Sequence, residues 1–127
     1  MELDFNSEKP IFQQIAEGIE DAILAGAFPE ESQIPSITEF SVQYKINPAT
    51  ALKGINLLVD GGVVYKKRGV GMFVAQGAVE KLGQKRRSGF YEHFVVAMVK
   101  EARRLGIARE ELSAMVERSY RAEQEEN

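Results

Sequence analysis

The chain has 127 residues, 44% hydrophobic and 28% charged, which suits one ordinary domain or a small domain with an appendage and is too short for a multidomain enzyme. Sixteen Lys and Arg against nineteen Asp and Glu leave a net charge of −3, which excludes a coat of bulk positive charge for nucleic acid and makes any DNA-binding surface local. With no cysteine and the single histidine His93, a disulfide scaffold, a thiolate or multi-histidine metal site and a cysteine nucleophile are all excluded.

Met1 to Asp4 is acidic and polar, unlike a basic-then-apolar leader, and the longest apolar run, Phe94 to Val99, is far below a membrane span. A cytoplasmic protein with no membrane partner is expected. From Pro10 to about Ala25, Ile11, Phe12, Ile15, Ile19, Ala22 and Ile23 recur at helical spacing, with Pro10 suited to the first helical position and Gly26 to the stop. Ser36-Ile37-Thr38-Glu39 is a capping box opening a short helix that buries Ile37, Phe40 and Tyr44 and ends near Lys45. Asn47 and Pro48 open a third helix, whose stripe of Ala51, Leu52, Ile55, Leu58 and Val59 runs to Gly61-Gly62. Two helices joined by so short a turn must cross steeply.

Beyond Gly62 the period changes. Val63 to Lys67 and Met72 to Ala75 are rich in β-branched and aromatic residues, and Arg68-Gly69-Val70-Gly71 between them predicts a β-hairpin with a basic, glycine-containing tip. After Gln76-Gly77, Lys81, Lys85, Arg86 and Arg87 with few large apolar residues read as a connector or a loosely held helical turn. Phe90, Phe94, Ala97, Met98, Ala102 and Leu105 then form one helical stripe ending at Gly106, and Leu112, Met115, Val116 and Tyr120 form another before an acidic tail. The pair reads as an antiparallel helical hairpin too small to enclose a core, so its faces need a partner, most simply the same hairpin of a second chain.

The expected fold is therefore mostly α with a small β-hairpin: a winged helix-turn-helix over residues 1–77, then a linker and two-helix dimerisation region over 78–127. In that arrangement the third helix presents its amino-terminal end to a major groove, where first-turn side chains reach base edges while the helix dipole and free amides favour phosphate. Here that end is Asn47, Pro48, Ala49 and Thr50, with Lys53 one turn on. The tip groups Lys66, Lys67 and Arg68 beside Gly69 and Gly71, which let backbone approach a phosphate or enter a minor groove. Charge is segregated to match: from Phe40 to Gly77 there are five cations against Asp60 alone.

Pro10-Ile11-Phe12-Gln13-Gln14-Ile15, Gly26, Ile34-Pro35-Ser36, Asn47-Pro48-x-Thr50 and Arg68-Gly69-x-Gly71-x-Phe73-Val74 together closely resemble the amino-terminal domain of GntR-family bacterial transcription regulators, in register over roughly the first 75 residues. Ala102-Arg103-Arg104-Leu105-Gly106-Ile107 and Glu110-Glu111-Leu112 resemble the two-helix dimerisation region of the YtrA-like subfamily, which lacks a large effector-binding domain. The resemblance implies a homodimeric repressor of a roughly palindromic operator, often of an operon for an ATP-binding-cassette transporter. It also implies DNA-facing roles for Ser36, Thr38, Asn47, Thr50, Lys53, Arg68, Gly69 and Gly71. Thr38 stands where the family usually has Arg, Ala49 where it has a polar residue and Ala51 where it has Val, so a guanine reader and a hydrogen-bonding group are missing and base specificity is expected to be altered or weaker.

Plainer readings stand beside these. Ser36, Asn47 and Pro48 are helix starts whatever else they do. Lys66, Lys67 and Arg68 could blunt a sheet edge, and Lys85-Arg86-Arg87 is as well read as solvated linker as phosphate contact. The Phe90, Phe94 and Met98 stripe is core or dimer seam, with a small-molecule pocket for an unidentified effector as the lesser option, and His93 is a surface or seam residue. Glu30-Glu31 is a carboxylate pair beside Pro29, with no histidine, cysteine or metal-ligand spacing near it and no phosphate-binding glycine loop elsewhere, so no enzyme, cofactor or metal is expected. A winged helix that binds protein, with weak or lost DNA binding, is the alternative function.

Overall fold

Pro10 caps the first regular element from outside it. Its carbonyl accepts the amides of Gln13 and Gln14, each at 3.1 Å, so helix α1 (Ile11–Leu24) starts one residue later than the sequence pattern placed it. The computed structural model describes residues 1–126. In helix α2 (Ile37–Tyr44) the capping box is closed both ways: Ser36 Oγ accepts the Glu39 amide and Glu39 Oε1 accepts the Ser36 amide, both at 3.1 Å. Helix α3 (Pro48–Asp60) starts after Asn47, and strands β1 (Val64–Lys67) and β2 (Gly71–Val74) pair antiparallel with Val64 opposite Val74 and Lys67 opposite Gly71.

The four-residue spacing of Ile15, Ile19 and Ile23 puts one apolar row of α1 against α3, and all three are buried with Ile34, Phe40, Ala51, Ile55, Leu58, Val64 and Val74 in one cluster. Gly54 sets how close the two helices come. A Cβ there would lie 2.7 Å from the Phe12 carbonyl oxygen and 3.1 Å from an Ile15 methyl, so only hydrogen fits.

The loop from Glu31 to Ile34 runs along the second edge of β2. The amides of Glu31 and Ile34 donate to the carbonyls of Val74 and Met72, and the Val74 amide donates to the Ser32 carbonyl, at 2.8 to 2.9 Å. The hairpin is thereby bonded on both sides of β2 although its sheet has two strands.

The segment read as a connector is a regular helix, α4 (Ala78–Phe90). Two residues and a distant carboxylate explain it. Ala78 and Leu82, one turn apart, are fully buried in the same cluster, and burying a leucine contributes about 1.5–3 kcal/mol, well above the few tenths by which helix propensities differ. Glu30 caps the helix from the α1–α2 loop, its two oxygens accepting the Gly77 amide at 2.8 Å and the Val79 amide at 3.0 Å. Lys85 pairs at 3.4 Å with the largely buried Glu20 of α1.

By internal contacts the chain divides into Met1–Lys85 and a second unit from Arg86 onward. After α4 come a five-residue π turn (Tyr91–Val95), helix α5 (Val96–Arg104) and helix α6 (Arg109–Glu126). A π turn adds one residue to a turn, so side chains beyond it are offset by about 100° from the regular pattern. Tyr91, Val95, Val96 and Val99 line one groove with Lys100 and Arg103, while Met98, from the expected stripe, lines another with Leu112, Met115, Val116 and Tyr120 of α6. Met98 and Met115 lie equally far from the turn, as an antiparallel return requires. Ala102 is already buried within the single chain and is not available to a partner, whereas Phe90, Phe94, Leu105 and Tyr120 remain more than half exposed.

Gly54→Ala is expected to lower stability by about 1–3 kcal/mol in urea unfolding, because helix α3 must move off the Phe12 carbonyl. Gly83→Ala, on α4 with nothing within 4 Å of the added methyl, should instead stabilise by about 0.5–1 kcal/mol. The Gly77 amide first, and the Val79 amide with it, hold the Glu30 carboxyl below the ordinary glutamate range. A carboxylate depressed in the folded state contributes stability above its unfolded pKa and loses it as pH falls through the folded value. Amide protection factors at Gly77 and Val79 are expected to fall on acidification below about pH 4, and to be low already near neutrality in Glu30→Ala. Protection at Gly77 and Val79 in Glu30→Ala equal to that of the native chain near neutrality would rule the cap out.

Candidate nucleic-acid interface

Helices α2 and α3 meet at a three-residue turn, Lys45-Ile46-Asn47, in which Lys45 is left-handed at φ +55°. Pro48 has no amide, Asn47 Oδ1 accepts the Ala49 amide at 2.8 Å, and the Asn47 carbonyl accepts the Thr50 amide at 2.9 Å. The first turn of α3 therefore has no free amide to give a phosphate, contrary to the sequence expectation. What it offers is side chains: Asn47, Pro48, Ala49 and Lys53 are exposed, Thr50 is half-buried, and Ala51, Gly54, Ile55 and Leu58 face the core. The Lys53 ammonium lies 4.1 Å from the centre of the Phe12 ring on α1, a cation–π contact that keeps it beside the helix. On α2, Ser36 Oγ is occupied as an acceptor while its O–H stays available to donate, and Thr38 is exposed on the first turn.

At the hairpin tip, the Val70 amide donates to the Lys67 carbonyl at 2.9 Å, closing a turn with Gly69 at φ +78° in its third position, as a type II turn requires. Arg68 is thereby placed at the apex. The strand alternation separates the three cations instead of clustering them: Lys66 shares a face with Val64 and Met72, while Lys67 lies on the other, 4.6 Å from the Phe73 ring centre. Among the described residues no carboxylate pairs with Lys53, Lys66, Lys67 or Arg68.

Gly71, expected to let backbone approach DNA, serves the fold. At φ +147° it packs on the side chain of Gln33, which would collide with a Cβ there and whose Nε2 donates to the Val70 carbonyl at 3.1 Å. Gln33 thus props the tip from a loop 37 residues away in sequence, and no local pattern announces it. Asn56, exposed on α3 one turn beyond Leu52, also escaped sequence reasoning; counting the exposed face rather than the apolar stripe would have found it.

The Glu30-Glu31 pair has no chemistry to perform. Glu30 caps α4, and Glu31 accepts the Tyr65 hydroxyl at 2.6 Å, which pushes the tyrosine pKa up. Glu17 pairs with Lys9 at 2.7 Å. Among the described residues no group of His, Cys, Asp and Glu could hold a metal ion, and no helix is long and apolar enough to cross a membrane.

The sequence profile of "Bacterial regulatory proteins, gntR family" matches residues 11–74, the stretch from α1 through β2. YhcF of Bacillus subtilis (strain 168), described as an uncharacterized HTH-type transcriptional regulator, is 32% identical over 114 residues, 88% of this chain and 91% of its own length. A putative GntR-family transcriptional regulator from Bacteroides thetaiotaomicron has a similar crystal structure, with a TM-score of 0.69, 35% identity and coverage of 92% of this chain and 99% of that one. The AraR DNA-binding domain, in a crystal structure with operator ORX1, matches 59% of this chain and 96% of its own at 30% identity and a TM-score of 0.55. These relatives are regulators and not enzymes. With a full-length relative, a winged-helix fold and a matched profile in agreement, this chain belongs to the GntR family of DNA-binding bacterial transcription regulators.

Proposed function

We propose that the chain is a cytoplasmic, sequence-specific repressor that binds a two-fold-related operator as a homodimer. Residues 1–77 read the DNA, and residues 78–127 carry the linker and the pairing surface. The observation that carries this reading is the pairing of charges. The glutamates of the first unit are largely spent on protein groups, whereas the cations of α3 and the wing are exposed without carboxylate partners. A surface on which only positive charge is unneutralised suits a phosphate backbone, whatever the net charge of the whole.

In this reading Lys66, Lys67 and Arg68 contact phosphates or the minor groove, with Gly69 letting the turn backbone approach and Gly71 and Gln33 fixing its position. Ser36 and Thr38 meet the backbone at the start of α2. Asn47, Pro48, Ala49, Thr50 and Lys53 lie in the major groove. Pairing falls to the second unit, where Phe90, Phe94, Ala97, Met98, Leu105, Leu112, Met115, Val116 and Tyr120 offer an apolar surface; each phenylalanine that a partner covers contributes on the order of 1.5–3 kcal/mol. The resemblance to YtrA-like regulators suggests a transporter operon as the target. A small-molecule effector would bind in the second unit, where Met98, Met115 and Tyr120 border a cavity of about 520 Å³, and would act by changing the spacing of the two recognition helices.

Selection of bound duplexes from a random pool should enrich a two-fold-related motif at moderate salt; none would leave the protein-binding winged helix as the better account. Arg68→Ala and Lys67→Ala should each weaken binding to all sequences and reduce the slope of log K against log salt by about 2 for the dimer, one contact per chain. An unchanged slope would remove the wing from the interface. In sedimentation at micromolar concentration the native chain should be dimeric and Phe94→Asp monomeric; a monomeric native chain would contradict the pairing role.

A further inference from the structure

The outward face of α3 is apolar where a reader of base edges is ordinarily polar. Opposite the buried Ala51, Gly54, Ile55 and Leu58, its first two turns present Pro48, Ala49, Leu52 and Lys53, with Leu52 43% exposed. Pro48 and Leu52 form one row at i, i+4, Ala49 and Lys53 the next, so the three apolar side chains are neighbours. Of the polar atoms nearby, Asn47 Oδ1 holds the Ala49 amide at 2.8 Å and the Lys53 ammonium rests on the Phe12 ring at 4.1 Å, leaving the short Asn47 Nδ2 and Thr50 hydroxyl at the helix start. Single exposed leucines are common on protein surfaces. Here the leucine sits in a contiguous apolar strip bordered by an unpaired cation, on the part of the chain where positive charge prevails.

A major groove offers an apolar side chain one group that marks sequence, the thymine 5-methyl, while a guanine reader needs a forked or long donor aimed at O6 and N7. Resting on the DNA-binding reading above, the geometry points to recognition of thymine methyl groups by Ala49 and Leu52, so that the duplex partner carries A·T pairs beneath the first two turns of α3. Asn56, next in the Pro48–Leu52 row and exposed, extends the same preference, since an asparagine amide complements adenine N6 and N7. The strip gains by covering methyl groups and buries no unpaired donor or acceptor, which a hydrogen-bonding face set against the wrong base would do.

The test uses the full chain and the duplex selected from the random pool, with each thymine replaced in turn by deoxyuridine, which removes only the 5-methyl. At one or two positions affinity should fall about four-fold per methyl, the loss that uncovering one such group carries. Leu52→Ala should bind thymine and deoxyuridine equally at one of those positions, and Leu52→Met, which keeps the apolar volume, should restore the difference. Both variants lie on an exposed helical face, and their unchanged circular dichroism would exclude misfolding as the cause. An enriched motif in which every thymine accepts deoxyuridine overturns this inference alone. A pool with no enriched motif overturns it together with the DNA-binding reading.

Discussion

Strand β2 is hydrogen-bonded along both edges, and most of the interface depends on that constraint. One edge carries β1; the other is held by the loop from Glu31 to Ile34 through three backbone bonds of 2.8 to 2.9 Å. The same loop supplies Gln33 to the tip and Glu30 to the start of α4. A two-stranded hairpin alone is marginal in water. Bonded to a third segment whose Ile34 is buried in the core, it becomes a fixed arm that presents Arg68 at a defined place. The glycine at position 71 belongs to this clamp, since the Gln33 amide fills the space that its side chain would take.

The acidic total of the chain says little about its surface because the two signs of charge have different work. Glu30 satisfies helix-end amides, Glu39 closes a capping box, Glu31 accepts a tyrosine hydroxyl, and Glu17 and Glu20 pair with lysines. Carboxylates are apt for such tasks, because an N-terminal helix amide is a donor in search of an acceptor. Lys53, Lys66, Lys67 and Arg68, on α3 and the wing, have no such carboxylate among the described residues, and two of them rest instead on aromatic rings.

Most of the first unit was legible because its signals are local. A capping box, an asparagine followed by proline, and isoleucines four apart each specify their element within one or two turns, and Gly61-Gly62 marks the change of period. The missed features depend on partners that local periodicity does not see. Helix α4 carries only two core residues, and its cap lies 47 and 49 residues back along the chain from the amides it serves. The wing register could be read from alternation, but its prop at Gln33 could not. The π turn at Tyr91–Val95 was not foreseen, because a count in steps of 3.6 assumes that no residue is inserted. The free amides expected at the start of α3 were absent for a reason present in the sequence: the asparagine that makes a good cap does so by consuming the amide.

The separation of affinity from specificity follows from the same residues. Four exposed cations on α3 and the wing release at most about four condensed counterions per chain, so the slope of log K against log salt contributed by one chain is limited to about 3 to 4. A term of this kind is the same for every sequence, so in the proposed complex discrimination falls to the short-range fit of α3. With Thr38 in place of an arginine and Ala49 in place of a polar residue, the proposed fit relies more on shape and apolar contact, whose energy falls off within the width of a methyl group. Gly54, which leaves no room for a Cβ beside the Phe12 carbonyl, lets α3 sit close against α1 and so fixes where the outward side chains Ala49 and Leu52 stand on the first unit.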